Sequence, residues 1–532
     1  MRFLVFILLI FTPVKSLCPD RSICKSNLDE LVLTCDGTFL TSVDNQMFPN
    51  LTCFPAMKDY LFYNIPRFRP EILNDLVFRS HERTVISLIN VTRIETGSFS
   101  NQFRLGTGSS LHVIIGNPEA STSITIEENA FNRIKIERLK FSNINRFNGR
   151  PVFETNTFGD DADIEELIFD GCGLTGFSNT IKNSADVEHL SIMNTPALTQ
   201  ITDLNLPSFL STTRTLKISN TSLAFIKPYT FQAWLLFFEE LILTDNSKLI
   251  TLPQNIVAGV LMKLKKLDLS GNSIRSINPN YEWFPYSYTK ELSLRSQSLD
   301  LFLQSRILHT LDFLERIDFS YGVITANETN LIDDYFPKLS NLSSIDLSYT
   351  NMNESILIEV LKRISDGANH FINIYLNGYQ LSEQYFCSYL EIFKKAPNLL
   401  KLHLDSEHRC NCIIDLFNTQ ILRSGHQNSS LLGPMCLLEA DRVPCDLEAQ
   451  SLTSKCNIAH PNPDSTDPDG QLGNYAFGGI VAGVSVLVFI LVALGFTAVY
   501  KIRRRRSTIL DMEQPVENPL TAIIEERLQR SL

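Results

Sequence analysis

Eleven cysteines are the most reactive side chains in this 532-residue chain, and most of them gather at the two ends of a long central stretch. Cys18, Cys24, Cys35 and Cys53 lie near the N-terminus. Cys387, Cys410, Cys412, Cys436, Cys445 and Cys456 lie far downstream, and Cys172 stands alone between the groups. Closely spaced thiols either ligate a metal or pair as disulfides, and the Cys410-x-Cys412 spacing suits both. The first residues favour disulfides. Arg2, the apolar run Phe3–Phe11 and the placement of Val14 and Ser16 read as a signal peptide over 1–16, cleaved after Ser16. A buried N-terminal strand is the competing reading. A secreted route delivers the cysteines to an oxidising compartment, where disulfides persist.

The same route makes asparagine sequons chemically meaningful. Asn50, Asn90, Asn220, Asn327, Asn341, Asn353 and Asn428 each begin N-x-S/T and are candidate glycan acceptors. No nucleophile motif, phosphate-binding loop or metal-spaced His/Glu cluster is present in the sequence. The nine histidines are scattered, and His403 reads as a surface residue rather than a general base. The expectation is no enzyme, with no catalytic, metal or cofactor-binding residue and no cofactor. A net charge of −11, with a basic cluster confined to the residues after Tyr500, argues against a nucleic-acid ligand.

The elements that would hold these residues are repetitive. The stretch Leu264–Ile277, LKKLDLSGNSIRSI, places Leu264, Leu267, Leu269, Asn272, Ile274 and Ile277 on the pattern LxxLxLxxNxIxxI. Leu267 and Leu269 alternate on a short strand and point the same way, inward. Comparable pairs recur as Leu61/Tyr63, Ile86/Leu88, Leu111/Val113, Leu139/Phe141, Leu167/Phe169, Leu190/Ile192, Leu216/Ile218, Leu241/Leu243, Leu292/Leu294, Ile317/Phe319, Ile345/Leu347, Ile374/Leu376 and Leu402/Leu404, about 23 to 29 residues apart. Ile94/Phe99, Ile126/Phe131 and Ile226/Phe231 share a further step, which suggests phenylalanines stacked behind the strands.

This pattern resembles the leucine-rich-repeat family, in which the asparagine side chain bonds backbone groups at the turn after each strand. Asn246 and Asn272 conform to it. Cys172, Thr195, Thr221 and Thr350 are acceptable at that position, whereas Val91, Gly116, Ile144, Gln297, Gly322, Tyr379 and Glu407 depart from it. The resemblance implies an α/β-type solenoid: a horseshoe with a parallel sheet on its concave face, 13 or 14 repeats over 58–405, and caps that close its ends. Residues 17–57 resemble the cysteine-rich N-terminal cap and 406–456 the C-terminal cap, with Cys387 as a candidate partner for the fifth cysteine there. The strand residues facing outward would form the ligand face, and Asp268, Ser293, Asp318, Asp346, Tyr375 and His403 are its candidates, mildly acidic and suited to a basic protein surface. Repeat consensus alone would also place aspartates there. Glycans on Asn90 and Asn220 would push binding toward the C-terminal half.

Downstream, 457–474 is rich in Pro, Asp, Gly and Asn and reads as a flexible stalk. Residues 475–500 read as one transmembrane helix: Ala476–Val499 carry no charge, and Lys501 and Arg503–Arg506 follow on the cytoplasmic side. Gly479-x-x-x-Gly483 is a candidate contact for helix dimerisation. The tail, 501–532, has a basic cluster and a short amphipathic segment from Leu520 to Leu528. The resemblance therefore implies a plasma-membrane, single-pass glycoprotein with its N-terminus outside. Its partners would be the membrane and an extracellular or cell-surface protein, with a homodimer through the span as an option. The expected function is a receptor or adhesion molecule. A co-receptor subunit and a membrane-tethered matrix protein are the alternatives.

Overall fold

The computed structural model describes residues 23–404 except 39–50, 52–53, 55, 74–81, 101–108, 118–121, 160, 179–184, 203–205, 208–209, 211, 228–229, 232–237, 253–263, 278–287, 325–335, 338 and 397–398. The expected signal peptide, Cys18, Cys53, Asn50, Asn327, Asn428 and everything from 405 onward lie outside the described residues. That includes Cys410, Cys412, Cys436, Cys445 and Cys456, and the expected stalk, span with Gly479 and Gly483, and tail. Among the described residues, no helix is long and apolar enough to cross a membrane.

The described chain is built on one 16-stranded sheet whose strands lie side by side in chain order, from Cys24–Asn27 to Leu400–His403. Cys24–Asn27 pairs antiparallel with Val32–Asp36, and from there onward successive neighbours are parallel. The Cys24–Cys35 disulfide staples that first hairpin. Alternation explains each strand: in Thr215–Ser219 and Glu240–Thr244 every second side chain is buried. Leu190, Leu216, Leu241 and Leu267 stand beside one another in register, and each is at most 1% exposed. Burying such a leucine contributes on the order of 1.5–3 kcal/mol.

Two expected pairs sit in a different register. Tyr60 and Phe62, not Leu61 and Tyr63, are the buried pair of Asp59–Tyr63. In Ser110–Gly116 the partners of Ile86 and Leu88 are Val113 and Ile115, two positions beyond the expected Leu111/Val113. In Asp59–Tyr63 apolar side chains stand on both faces, so a period of two cannot fix which is inward; in Ser110–Gly116 Leu111, Val113 and Ile115 all lie on the buried face, so alternation does not decide which two stand beside Ile86 and Leu88.

Behind the sheet, short parallel strands and phenylalanines fill the interior of the N-terminal half. Arg67–Phe68, Arg93–Ile94, Thr122–Ile126 and Ile144–Phe147 form a four-stranded sheet. Phe68, Phe99 and Phe131 stack in a row, with centroids 5.4 and 5.0 Å apart. Toward the C-terminal end, helices take that place. Glu354–Gly367 buries Ile356, Leu357, Val360, Leu361 and Ile364, and its side-chain cap is Asn353, whose Oδ1 accepts from the Ile356 N–H at 2.9 Å. Phe386–Lys395 follows it, and Cys387 on that helix is disulfide-bonded. Helices remain few, so the described chain is β-rich with a dominant parallel sheet.

Candidate protein-binding face

The turns that follow strands of the main sheet show which polar residues are spent on structure. Asn272 Nδ2 donates to the carbonyls of Leu243 and Leu269, both at 2.6 Å, and its Oδ1 accepts from the Asn246 N–H at 3.0 Å. Asn246 repeats the arrangement toward Ile218 and Thr221. Gln297, expected to depart from the pattern, does half of this work: its Nε2 donates to Leu269 O at 3.0 Å and Asn272 O at 2.9 Å, while its buried Oε1 accepts no hydrogen bond. The Cys172 thiol occupies an equivalent place, donating to Phe141 O at 3.5 Å. Burial pushes that thiol up to about 11, so it is unreactive as a nucleophile. Val91 and Ile144 fill the position with apolar bulk.

A second row of turn residues adopts the left-handed conformation. Asn64, Asn90, Asn143, Asn194 and Asn220 do so, as do Gly171, Gly271 and Gly378, residue types that tolerate positive φ. The side chains run together along the row: Asn90 Nδ2 donates to Asn64 Oδ1, and Asn220 Nδ2 to Asn194 Oδ1, each at 2.7 Å. The sequon asparagines Asn90 and Asn220 therefore have a structural role, and both remain exposed. Asn341 and Asn353 are exposed as well; Asn341 donates to Asp312 O at 2.7 Å.

The outward strand positions form one unbroken row. Asp268 is in register with Ser293, Ser293 with Asp318, Asp318 with Asp346, Asp346 with Tyr375, and Tyr375 with His403. All six candidate residues thus come together. Their aspartates are partly used: Asp268, Asp318 and Asp346 accept the backbone N–H groups of Ser270, Ser320 and Ser348 at 3.0, 2.9 and 2.8 Å, which holds the turn. Asp318 also accepts from the hydroxyls of Ser293 and Ser320. The Tyr375 ring stacks on His403 at 4.4 Å, and His403 Nε2 meets Asn373 Oδ1 at 3.0 Å. Burial, reinforced by Lys401, holds the His403 imidazole below its ordinary value, so it is neutral at pH 7.

Three residues beside this row were not anticipated. Tyr321 and Tyr349 take the left-handed turn position that holds Asn, Gly, Asp245 or Ser296 on neighbouring strands. Their rings stack at 4.9 Å, and the Arg295 guanidinium lies over Tyr321 at 4.9 Å. The signal was readable: Tyr321 and Tyr349 stand directly after Ser320 and Ser348, where Gly271 follows Ser270 in Leu264–Ile277. Among the described residues, no group of His, Cys, Asp or Glu is arranged to hold a metal ion. No protein-family model matches the chain, and comparison with curated proteins finds no match.

Proposed function

We propose that this chain is a single-pass cell-surface glycoprotein that binds a protein ligand through a leucine-rich-repeat ectodomain, as a receptor or adhesion molecule. The supporting observation for binding is the outward row Asp268 to His403, six in-register side chains of mixed chemistry on a rigid sheet. A parallel sheet in strict chain order, with Asn246, Asn272 and Gln297 bonding the turn backbone, supports the solenoid. The apolar run Ala476–Val499 and the arginines after it support the anchor and its orientation.

The test uses full-length chain on cells, with an epitope placed after Ser16 and a second at Leu532. Antibody should reach only the first epitope on intact cells. A binding screen of secreted and cell-surface proteins should then return a partner lost on combined substitution of Asp346, Tyr375 and His403 by alanine. An N-terminal epitope reached only after permeabilisation would end the proposal.

A further inference from the structure

We propose that the Tyr321–Tyr349 ridge, together with the aspartate row beside it, docks an extended protein segment carrying lysine or arginine side chains. The assignment rests on the receptor reading above and names its partner's chemistry.

The ridge is costly to build and exposed once built. A tyrosine at positive φ, 57° at Tyr321 and 56° at Tyr349, is a conformation bulky side chains rarely adopt. Asparagine or glycine serves at Asn194, Asn220 and Gly271 without that cost. Both tyrosines nevertheless remain 46% and 49% exposed, so folding covers only about half of each. Strain that folding does not reward is found where binding uses it. The rings are also held in place. Tyr349 lies against Gly378, where a Cβ would meet its Cδ1 at 2.5 Å, and Arg295 covers the outer face of Tyr321. Rigid, half-exposed aromatic rings bind with little loss of side-chain freedom, which is why they recur in interface hot spots.

Charge identifies the occupant. Around the starts of these strands the chain neutralises itself: Lys265 pairs with Glu239 at 2.7 Å, Lys290 with Glu315 at 2.6 Å, and Arg316 with Glu291. Asp268, Asp318 and Asp346 have no ion-pair partner among the described residues. Adjacent strands lie about 4.8 Å apart, so Asp318 and Asp346 stand side by side in register, within reach of one basic segment. Arg295 caps the far end of the ridge and would repel a basic segment there, fixing its register over Asp318 and Asp346. Sequons occupy this turn row at Asn90 and Asn220, whereas its residues from Gly271 to Gly378 include no asparagine; the exposed sequon Asn353 lies past Tyr349, off the row, at the start of Glu354–Gly367.

The experiment immobilises full-length chain, purified in detergent, and measures binding of a short peptide alternating arginine and serine. A peptide alternating glutamate and serine is the control. The arginine peptide should bind in a salt-sensitive manner and the control should not. The double variant Tyr321→Gly/Tyr349→Gly removes the rings, relieves the backbone strain and alters no charge. It should unfold no earlier than the parent yet bind the peptide about tenfold more weakly. Asp346→Asn should weaken binding too. Equal binding of the two peptides, or binding unchanged in the glycine variant, overturns the proposal. A protein partner whose binding survives both variants would leave the receptor reading standing and remove this assignment; an N-terminus on the cytoplasmic side would remove both.

Discussion

Asn272 binds two carbonyls and one N–H with a single buried amide, so its loss takes this partner from Leu243 O and the Asn246 N–H, while Leu269 O keeps Gln297 Nε2. Asn272→Ala should therefore destabilise the protein by about 1–3 kcal/mol, read from the midpoint of urea unfolding. Gln297→Ala should fall in the same range, because its side chain serves Leu269 O and Asn272 O in the same way. If Gln297→Ala proves neutral, glutamine is not a working substitute for asparagine here. Asn246 and Asn272 were legible because they match a known spacing. Gln297 was not, because spacing records residue type, whereas the turn requires only an amide that reaches two carbonyls, and one extra methylene still reaches.

The helix Glu354–Gly367 carries two separable tests at its first turn. Asn353 is both its cap and a sequon asparagine. Asn353→Asp keeps the capping oxygen and abolishes the sequon; Asn353→Ala loses both. The alanine variant should lose about 1 kcal/mol and the aspartate variant only a few tenths, by thermal unfolding of deglycosylated protein. Next to it, burial raises the Glu354 carboxyl above its ordinary value, although the Ser382 N–H and the Tyr389 hydroxyl favour its charge. A carboxyl raised on folding costs stability when ionised, and that cost disappears as pH falls through its folded value. Glu354→Gln should accordingly be at least as stable as the parent at pH 7, with no advantage in acid. At this scale the strands were readable wherever polar and apolar residues alternate, as in Thr215–Ser219. They were misread in Asp59–Tyr63, where apolar side chains occupy both faces, and in Ser110–Gly116, where the successive inward side chains Leu111, Val113 and Ile115 offer two pairings.

Across the whole molecule, carboxylates bridge one strand–turn unit to the next and set the acid limit of the fold. The Thr38 hydroxyl and N–H, with the Asn64 amide, hold Asp36 below its ordinary 3.8. The Thr96 N–H and Arg93 hold Glu127 below 4.5, and the His112 ring does the same for Glu137. Groups depressed on folding stabilise above their unfolded values and cease to do so as pH falls through the folded ones. The melting temperature should be flat from neutral pH to about 5 and drop below about 4; a fall beginning near pH 6 would point instead to histidine. The parallel architecture was legible at this scale because one buried pair returns every two dozen residues or so. The outward face was legible only as positions: which side chains are spent on turns, and which stand idle, depends on bonds between units that no single stretch displays. Because each strand hydrogen-bonds to the strand just before it in the chain, nothing in the described sheet waits for a distant segment. Assembly can begin at the Cys24–Cys35 hairpin and advance while the C-terminal part is still being synthesised, so an N-terminal fragment released early should already be compact and protease-resistant.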